Sequence, residues 1–454
     1  MSVMKNLKRI RLNPSIKIIM GFLLLILLGT LLISLPISNR DGYWLNFVDS
    51  FFTSTSAVCV TGLTVVDTTM QFTLFGQIVI LLLIQMGGLG IIAVTSLIFI
   101  ILRKKINLYN RMAIQESLSK DTIQGVVKFI KKTIIISLII EGVGTLLLLY
   151  STISYSGSFW KGLFYAIFMS ISSFCNAGFD ILGTESQQFA SLHSFASNIT
   201  MLLPIIFLII IGGIGFVVII DGFKNFRNKQ HTKVVLIISS ILIILGTVIF
   251  LICEWNNPNT IGNMSVGEKI LNSLFQSVTC RTAGIATVEQ SALTEISKIT
   301  TMSLMFIGGS PNSTAGGIKT TTFFILLLIM TRTPNNHGDI RLKDRKISRK
   351  LIMKTFKILA FTICSLIISI IFLRIFEPNS IALDDIVFEC ISAISTVGLS
   401  LGITPILTIS SKIILSILMF IGRIGIATIA MVISSKNINP ATDEIEYSST
   451  DIII

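Results

Sequence analysis

One short pattern occurs four times along the chain: an apolar run, a Ser/Thr/Phe-rich amphipathic stretch, a lone glycine, and a second apolar run broken by glycines. The lone glycines are Gly62 in AVCVTGL, Gly178 in SFCNAGF, Gly284 in TCRTAGI and Gly398 in AISTVGL, at intervals of 116, 106 and 114 residues. The second runs carry QMGGLG (85–90), IIGGIG (210–215), FIGGSP (306–311) and FIGRIG (420–425). Four similar units in one chain constrain the fold to an arrangement about one axis, and in a membrane such an axis carries a pore.

Of the 454 residues, 52% are hydrophobic and 13% charged, which places the chain among membrane proteins. Apolar runs at 16–36, 73–102, 133–150, 196–220, 233–253, 297–330, 355–376 and 411–434 approach the length that crosses about 30 Å of hydrocarbon. They predict eight spans, two per unit. The first run is too long for a secretory signal and lacks a small-residue cleavage motif, so it is expected to remain as a span.

The net charge of +13 follows the membrane and is no nucleic-acid footprint. Lys5, Lys8, Arg9 and Arg11 precede the first run, Arg103 to Lys132 separate units one and two, Lys224 to Lys233 separate two and three, and Arg341 to Lys357 separate three and four. The positive-inside rule then puts both termini and the inter-unit loops in the cytoplasm of a multi-pass cell-membrane protein. The outward segments are acid-biased, from Asp41, Asp49 and Asp67 to Glu254, Glu377, Asp384 and Asp385. Cation concentration at the outer face and plain loop solubility account for this equally well. The six cysteines (59, 175, 253, 280, 364, 390) show no metal-ligand spacing and read as small buried thiols.

Within each unit an amphipathic segment too short to span lies between the two apolar runs: 46–58, 162–174, 269–280 and 384–394. Such segments read as re-entrant helices, tolerated where they are buried in protein or face a wet cavity. Each is followed by a strip ending at the lone glycine: Cys59-Val60-Thr61-Gly62, Cys175-Asn176-Ala177-Gly178, Arg281-Thr282-Ala283-Gly284 and Ser395-Thr396-Val397-Gly398. Selecting a bare cation needs a ring of backbone carbonyls in place of its water shell, and glycine supplies the backbone angles that aim carbonyls to one side. Helix-breaking turns in a carrier bundle are the competing reading; inverted repeats are common there, whereas these four units share one orientation.

TSTSAVCVTGLTVVDT (53–68), NAGFD (176–180), QSVTCRTAG (276–284), STAGGIKTTT (313–322), STVGLSLGIT (395–404) and FIGRIG (420–425) together resemble the Trk/Ktr/HKT superfamily of potassium transporters. The likeness is greatest to bacterial KtrB-type membrane subunits and covers essentially the whole chain. It implies an all-α integral membrane fold of four membrane–pore-loop–membrane repeats, with eight spans and four re-entrant pore helices. On this scheme the units cover 1–105, 106–223, 224–332 and 333–436, with a cytoplasmic tail at 437–454. The implied activity is potassium uptake, with K⁺ as substrate ion, Na⁺ as an activator and no cofactor on this chain. The implied partners are a second copy in a homodimer and a cytoplasmic nucleotide-binding regulatory ring. Cys59 stands where the family often has Thr, Cys175 where a polar residue is usual, and Ser310-Pro311-Asn312 is an unusual lead into the third unit's loop.

The second run of unit three is interrupted by GGSPNSTAGGIKTTT (308–322), which cannot continue a helix cheaply. The resemblance implies an intramembrane gating loop here, containing Gly316, Gly317 and Lys319; a glycine-softened kink is the plainer alternative. It is no phosphate loop, because Ile318 and not Gly precedes Lys319. Arg423 occupies the place of Gly88, Gly213 and Gly309, and reads either as a fixed charge below the filter or as a clamp on loop carbonyls. Arg281 is expected to brace its strip from behind, with Asp180 as a partner. Glu141, inside an apolar run, reads equally as functional or as buried and hydrogen-bonded. The basic stretch 341–357 fits anionic lipid or the regulatory ring, and the tail fits a dimer contact or disorder.

No catalytic constellation is present: His193, His231 and His337 stand apart from any nucleophile or carboxylate set. A sodium-coupled secondary carrier for a small solute remains the alternative to a pore. It calls for a midplane pocket of substrate ligands, for which the sequence offers little beyond Glu141.

Overall fold

A computed structural model describes residues 14–90, 126–184, 188–189, 191–225, 230–332, 340–342 and 345–425. The expected end of unit one (91–105), most of the basic stretch after it and the tail (437–454) lie outside these residues. Among the described residues the regular elements are helices apart from one antiparallel hairpin, Ile340–Leu342 with Arg345–Ile347.

Each unit has a first helix, a short helix and a second helix. The first helices are Pro14–Ser34, Val126–Ser156, Gln230–Glu254 and Arg349–Phe376; the short helices are Phe47–Cys59, Phe159–Cys175, Val266–Thr279 and Leu383–Ser395. The second helices are Leu74–Leu89, Ile199–Ile214, Glu295–Phe306 and Ile409–Ile424. All four first helices are long and apolar enough to cross a membrane. Their outward leucines and isoleucines, among them Leu24, Leu28, Leu146, Ile244 and Ile367, are exposed.

The second runs do not continue as single straight helices. In units one, two and four the helix stops after 16 residues at a glycine with positive φ: +85° at Gly90, +100° at Gly215 and +87° at Gly425. Sixteen residues rise only about 24 Å. In unit two the chain resumes at a 99° bend, and in unit three a loop separates Glu295–Phe306 from Thr320–Thr331. The glycine that closes each of the motifs in units one, two and four is the break, because the positive-φ backbone it adopts ends the helix.

A Gly-Thr pair in the first helix seats the short helix in units one, two and three. A methyl group at Gly29, Gly144 or Gly246 would overlap the hydroxyl of Ser54, Ser170 or Ser277 and crowd Leu83, Leu208 or Leu304 of the second helix. Those serines donate to the carbonyls of Ile26, Glu141 and Ile243 at 2.7, 2.7 and 2.8 Å. Thr30, Thr145 and Thr247 donate to the same three carbonyls. One carbonyl therefore takes two hydroxyl donors, which lets a polar helix face lie against an apolar one without loss of hydrogen bonds. In unit four Thr362 keeps its bond to Ile358, while Phe361 and Cys390 replace the glycine and serine.

Between units the packing is cyclic. The second helix of unit one lies against the short helix of unit two, that of two against three, that of three against four, and that of four against the short helix of unit one. The closing contact carries an ion pair, Lys412 to Asp49 at 2.8 Å. Two acids expected as outer-surface charge do a different job. Glu254 accepts the amide and hydroxyl of Thr294 at 2.9 and 2.7 Å, and Glu377 those of Thr408 at 2.9 and 2.8 Å. Both are buried, and each ties the end of its first helix to the start of its second.

Gly144→Ala is expected to lower the thermal midpoint of the purified protein, costing about 1–3 kcal/mol in overpacking. Gly142→Ala, in the same helix with open space around it, should be neutral or stabilise by up to about 1 kcal/mol. Equal midpoints for the two variants would remove the seating argument.

Candidate functional site

The four strips adopt one backbone pattern. Two residues before each lone glycine φ is positive: +58° at Val60, +56° at Asn176, +85° at Thr282 and +51° at Thr396. The glycines follow at +95°, +72°, +71° and +94°, and the residue between each pair is not left-handed. This alternation turns successive carbonyls toward the same side of the strip. Val60, Thr282 and Thr396 are β-branched, so their left-handed conformation costs about 1–3 kcal/mol each and must be imposed by the surroundings.

The short helix imposes it. The amide before each glycine returns to a helix carbonyl: Thr61 to Ser56 and Ala177 to Ser172 at 2.8 Å, Ala283 to Thr279 at 3.0 Å, and Val397 to Ser392 at 2.9 Å. The hydroxyls of those same residues hold the far end of the strip. Ser56 and Ser392 accept from Gly62 and Gly398 at 3.0 Å, while Ser172 and Thr279 donate to the carbonyls of Phe179 and Ile285 at 2.5 and 2.6 Å. These four hydroxyl residues escaped the sequence reading, although the Ser/Thr-rich stretch holding them recurs in all four units.

The strips meet in a closed ring. A methyl group on Gly62 would come within 2.7 Å of the Ala177 carbonyl oxygen, and one on Gly178 within 3.0 Å of that of Ala283. On Gly284 it would overlap the Val397 carbonyl, and on Gly398 that of Thr61. Each glycine thus faces the carbonyl preceding the next unit's glycine, and unit four returns to unit one.

On one side all four glycines border a cavity of about 480 Å³, also lined by Asp67, Asp180 and Glu289. Asp67 accepts from the amides of Thr69, Met70 and Phe189 at 2.8 to 2.9 Å. His193 also lines it, and burial holds its imidazole below the ordinary value, so it adds no positive charge at pH 7. On the other side, toward Thr314 and Gly316, Asn176 and Thr396 each have a buried side-chain oxygen with no hydrogen-bond partner.

Beneath those oxygens sits the interrupting loop of unit three. Ser310 and Thr314 donate their amides to Gly213 and Gly212 of unit two at 2.9 and 3.3 Å. Asn176 of the second strip donates to the Thr314 hydroxyl at 2.9 Å. Gly316 and Gly317 lie against Ser395 and Thr396 of the fourth strip, with no room for a methyl at Gly316. Lys319 folds back onto its own loop, donating to the Ala315 carbonyl at 2.6 Å. Arg423 spans the base: it donates to the carbonyls of Thr314, of Gly87 at 2.5 Å and of Gly88 at 3.1 Å. These bonds are the geometry of a clamp on loop carbonyls, one of the two readings of Arg423.

Other expected positions fall off the ring. Cys59, Cys175 and Ser395 are the last residues of their helices, and the Cys175 thiol turns to Gln85 at 3.6 Å. Arg281 points backward, donating to the carbonyl and hydroxyl of Ser239 at 3.4 and 3.3 Å. It braces the strip as expected, but against the first helix of its own unit; Asp180 is not its partner. Glu141 is buried and accepts from Gln85 at 3.0 Å, joining units one and two.

Residues 9–440 match the TrkH family, described as cation transport protein. The chain is 37% identical to the potassium/sodium uptake protein NtpJ of Enterococcus hirae over the whole of both chains. It is 40% identical to the Ktr system potassium uptake protein B of Bacillus subtilis over 93% of each. Among solved structures it resembles the potassium transporter TrkH of Vibrio parahaemolyticus, with a TM-score of 0.68, 19% identity, and coverage of 92% of this chain and 85% of that one.

Ser392→Ala leaves the buried Gly398 amide without an acceptor and should cost about 1–3 kcal/mol of stability. Ser50→Ala, which removes a buried hydroxyl that has no partner, should cost almost nothing. Similar unfolding midpoints for the two would show that the hydroxyl does not brace the strip.

Proposed function

The chain belongs to the TrkH family of cation transport proteins, and from that premise we propose that it is the pore-forming subunit of a potassium uptake system. It is a transport protein and not an enzyme. The observation that carries the reading is the closed ring, in which four glycines each face the carbonyl of the next strip. K⁺ entering from the cavity sheds its water and is taken by carbonyls of Val60-Thr61-Gly62, Asn176-Ala177-Gly178, Thr282-Ala283-Gly284 and Thr396-Val397-Gly398. The short helices aim the negative ends of their dipoles at the same axis. The names of the relatives, potassium uptake and potassium/sodium uptake, agree with the ion chosen.

In this reading the four units give eight spans and four re-entrant helices, with both termini cytoplasmic. Exposed Tyr43, Trp44, Tyr150 and Trp160, at the handover from first to short helix, sit at the outer membrane interface. The loop through Gly316, Gly317 and Lys319 is the gate: it fills the space under the ring and is latched by Arg423, whose charge opposes cation passage while the latch holds. A cytoplasmic nucleotide-binding ring moves the loop, Na⁺ stimulates transport, and two copies form a dimer with one pore each.

The test is flux into liposomes holding the purified chain under a set membrane potential. Fast flux that prefers K⁺ over Na⁺ is expected. Uptake only in step with a Na⁺ gradient would favour the secondary carrier. Gly284→Ser should weaken preference for K⁺, since its side chain intrudes on the Val397 carbonyl; unchanged preference would count against Gly284 lining the filter. Removing residues 313–317 should raise flux and loosen dependence on the regulatory ring, and a folded but silent pore would sink the gate.

A further inference from the structure

Glu389, in the short helix of unit four, is a fully buried carboxylate that the transport reading above does not use. Its Oε1 accepts the hydroxyls of Ser400 and Thr404 at 2.5 and 2.6 Å. Its Oε2 has no hydrogen-bond partner, and no cationic side chain pairs with Glu389 among the described residues. A buried carboxylate without a counter-charge is costly, and it stays ionised only where a cation comes near it.

The tie that Glu389 makes does not itself need a charge. Counted back from the residue whose carbonyl holds the strip (Ser56, Ser172, Thr279, Ser392), the matching positions carry Thr53, Met169, Gln276 and Glu389. In unit three Gln276 reaches Gln290, six residues past its glycine, at 2.7 Å. In unit four Glu389 reaches Thr404, six residues past Gly398. The same link is therefore made once by a neutral amide pair and once by a carboxylate. What unit four adds is the charge.

Ser400 and Thr404 both border the cavity that the four glycines open into. One hydroxyl separates the carboxylate from the space through which an ion approaches the ring. We propose that Glu389 is a specificity-determining residue whose counter-ion is the permeating cation, so that its charge sets the affinity of the outer edge of the ring for incoming ions. This rests on the pore reading above. The field reaches the ion through the wall, by way of the Ser400 and Thr404 hydroxyl dipoles, and Glu389 does not touch it.

The test is K⁺ flux, and its block by external Ba²⁺, in liposomes holding the full chain. Glu389→Gln keeps an oxygen acceptor for both hydroxyls and removes the charge. It should raise half-saturating K⁺ roughly tenfold and weaken Ba²⁺ block by about the square of that factor, since electrostatic energy scales with valence. Glu389→Asp keeps the charge, disturbs the hydroxyl bonds, and should stay nearer the wild type on both measures. The reverse order, with Gln like the wild type and Asp impaired, would reduce Glu389 to a structural tie and overturn the proposal. Should Glu389→Gln fail to fold, Gln276→Glu supplies the test of opposite sign: it should tighten Ba²⁺ block and lower half-saturating K⁺, and no change would equally overturn it. Wild-type protein without K⁺ flux would instead sink the pore reading itself.

Discussion

Four backbones meet at one place with no room for a side chain between them, and most of the molecule is arranged to make that meeting hold. Each lone glycine faces the carbonyl of the next strip, so any larger residue would push the ring open. Such a contact is only as well defined as the conformation of the strips, and three of the four contain a β-branched residue in a left-handed conformation. Left alone, those residues would relax toward extended or right-handed backbone. They are held by a returned amide on one side and a buried hydroxyl on the other. The short helix is in turn held by the Gly-Thr seat in the first helix and by the second helix of the preceding unit. Strain at the centre is thus countered by hydrogen bonds and packing spread outward through every layer.

The sequence carried this plan unevenly. The glycines at 62, 178, 284 and 398 were legible because glycine recurs at the same place in each unit while its neighbours change, which is what a backbone requirement looks like. The left-handed residues beside them were not legible, since Val60, Asn176, Thr282 and Thr396 share no side-chain chemistry; the fold imposes their conformation. The second runs of units one, two and four read as spans despite their glycines because hydropathy does not register where a backbone break falls inside an apolar stretch, and the stops at Gly90, Gly215 and Gly425 depend on φ alone. Outer acids read as surface charge because a carboxylate that clips two helix ends together, as Glu254 and Glu377 do, has the same letter as a solvated one. The partner of Arg281 was misplaced for a related reason. Burial favours a carboxylate partner in principle, but the fold offers Ser239.

Departures from four-fold symmetry gather in units three and four, on the inner side of the ring. Unit three interrupts its second run with a loop that fills the space below the strips and borrows hydrogen bonds from unit two. Unit four replaces a glycine with Arg423, whose guanidinium reaches that loop and unit one together. A symmetric ring has no means of closing itself from one side without an element that only one unit supplies. The broken run and the arginine are complementary in this sense, since the loop exposes carbonyls and the arginine brings donors to meet them.

Buried charge marks where function departs from folding in such a ring. A protein could brace its strips entirely with hydroxyls and amides, and units one to three come close to doing so. Arg281 is compatible with that economy, because its charge points away from the axis and its bonds are to Ser239. Glu389 is not, because the tie it makes is matched in unit three by the neutral Gln276 and Gln290. A carboxylate that is redundant as a brace, and has one oxygen free of any partner, is better explained by what passes the wall behind which it sits. On the proposal above, its cost falls when a cation stands in the mouth and returns when the mouth is empty. On the proposed pore reading the site is completed by its ion, as are the unpartnered oxygens of Asn176 and Thr396, and the permeating cation becomes the last element of the packing.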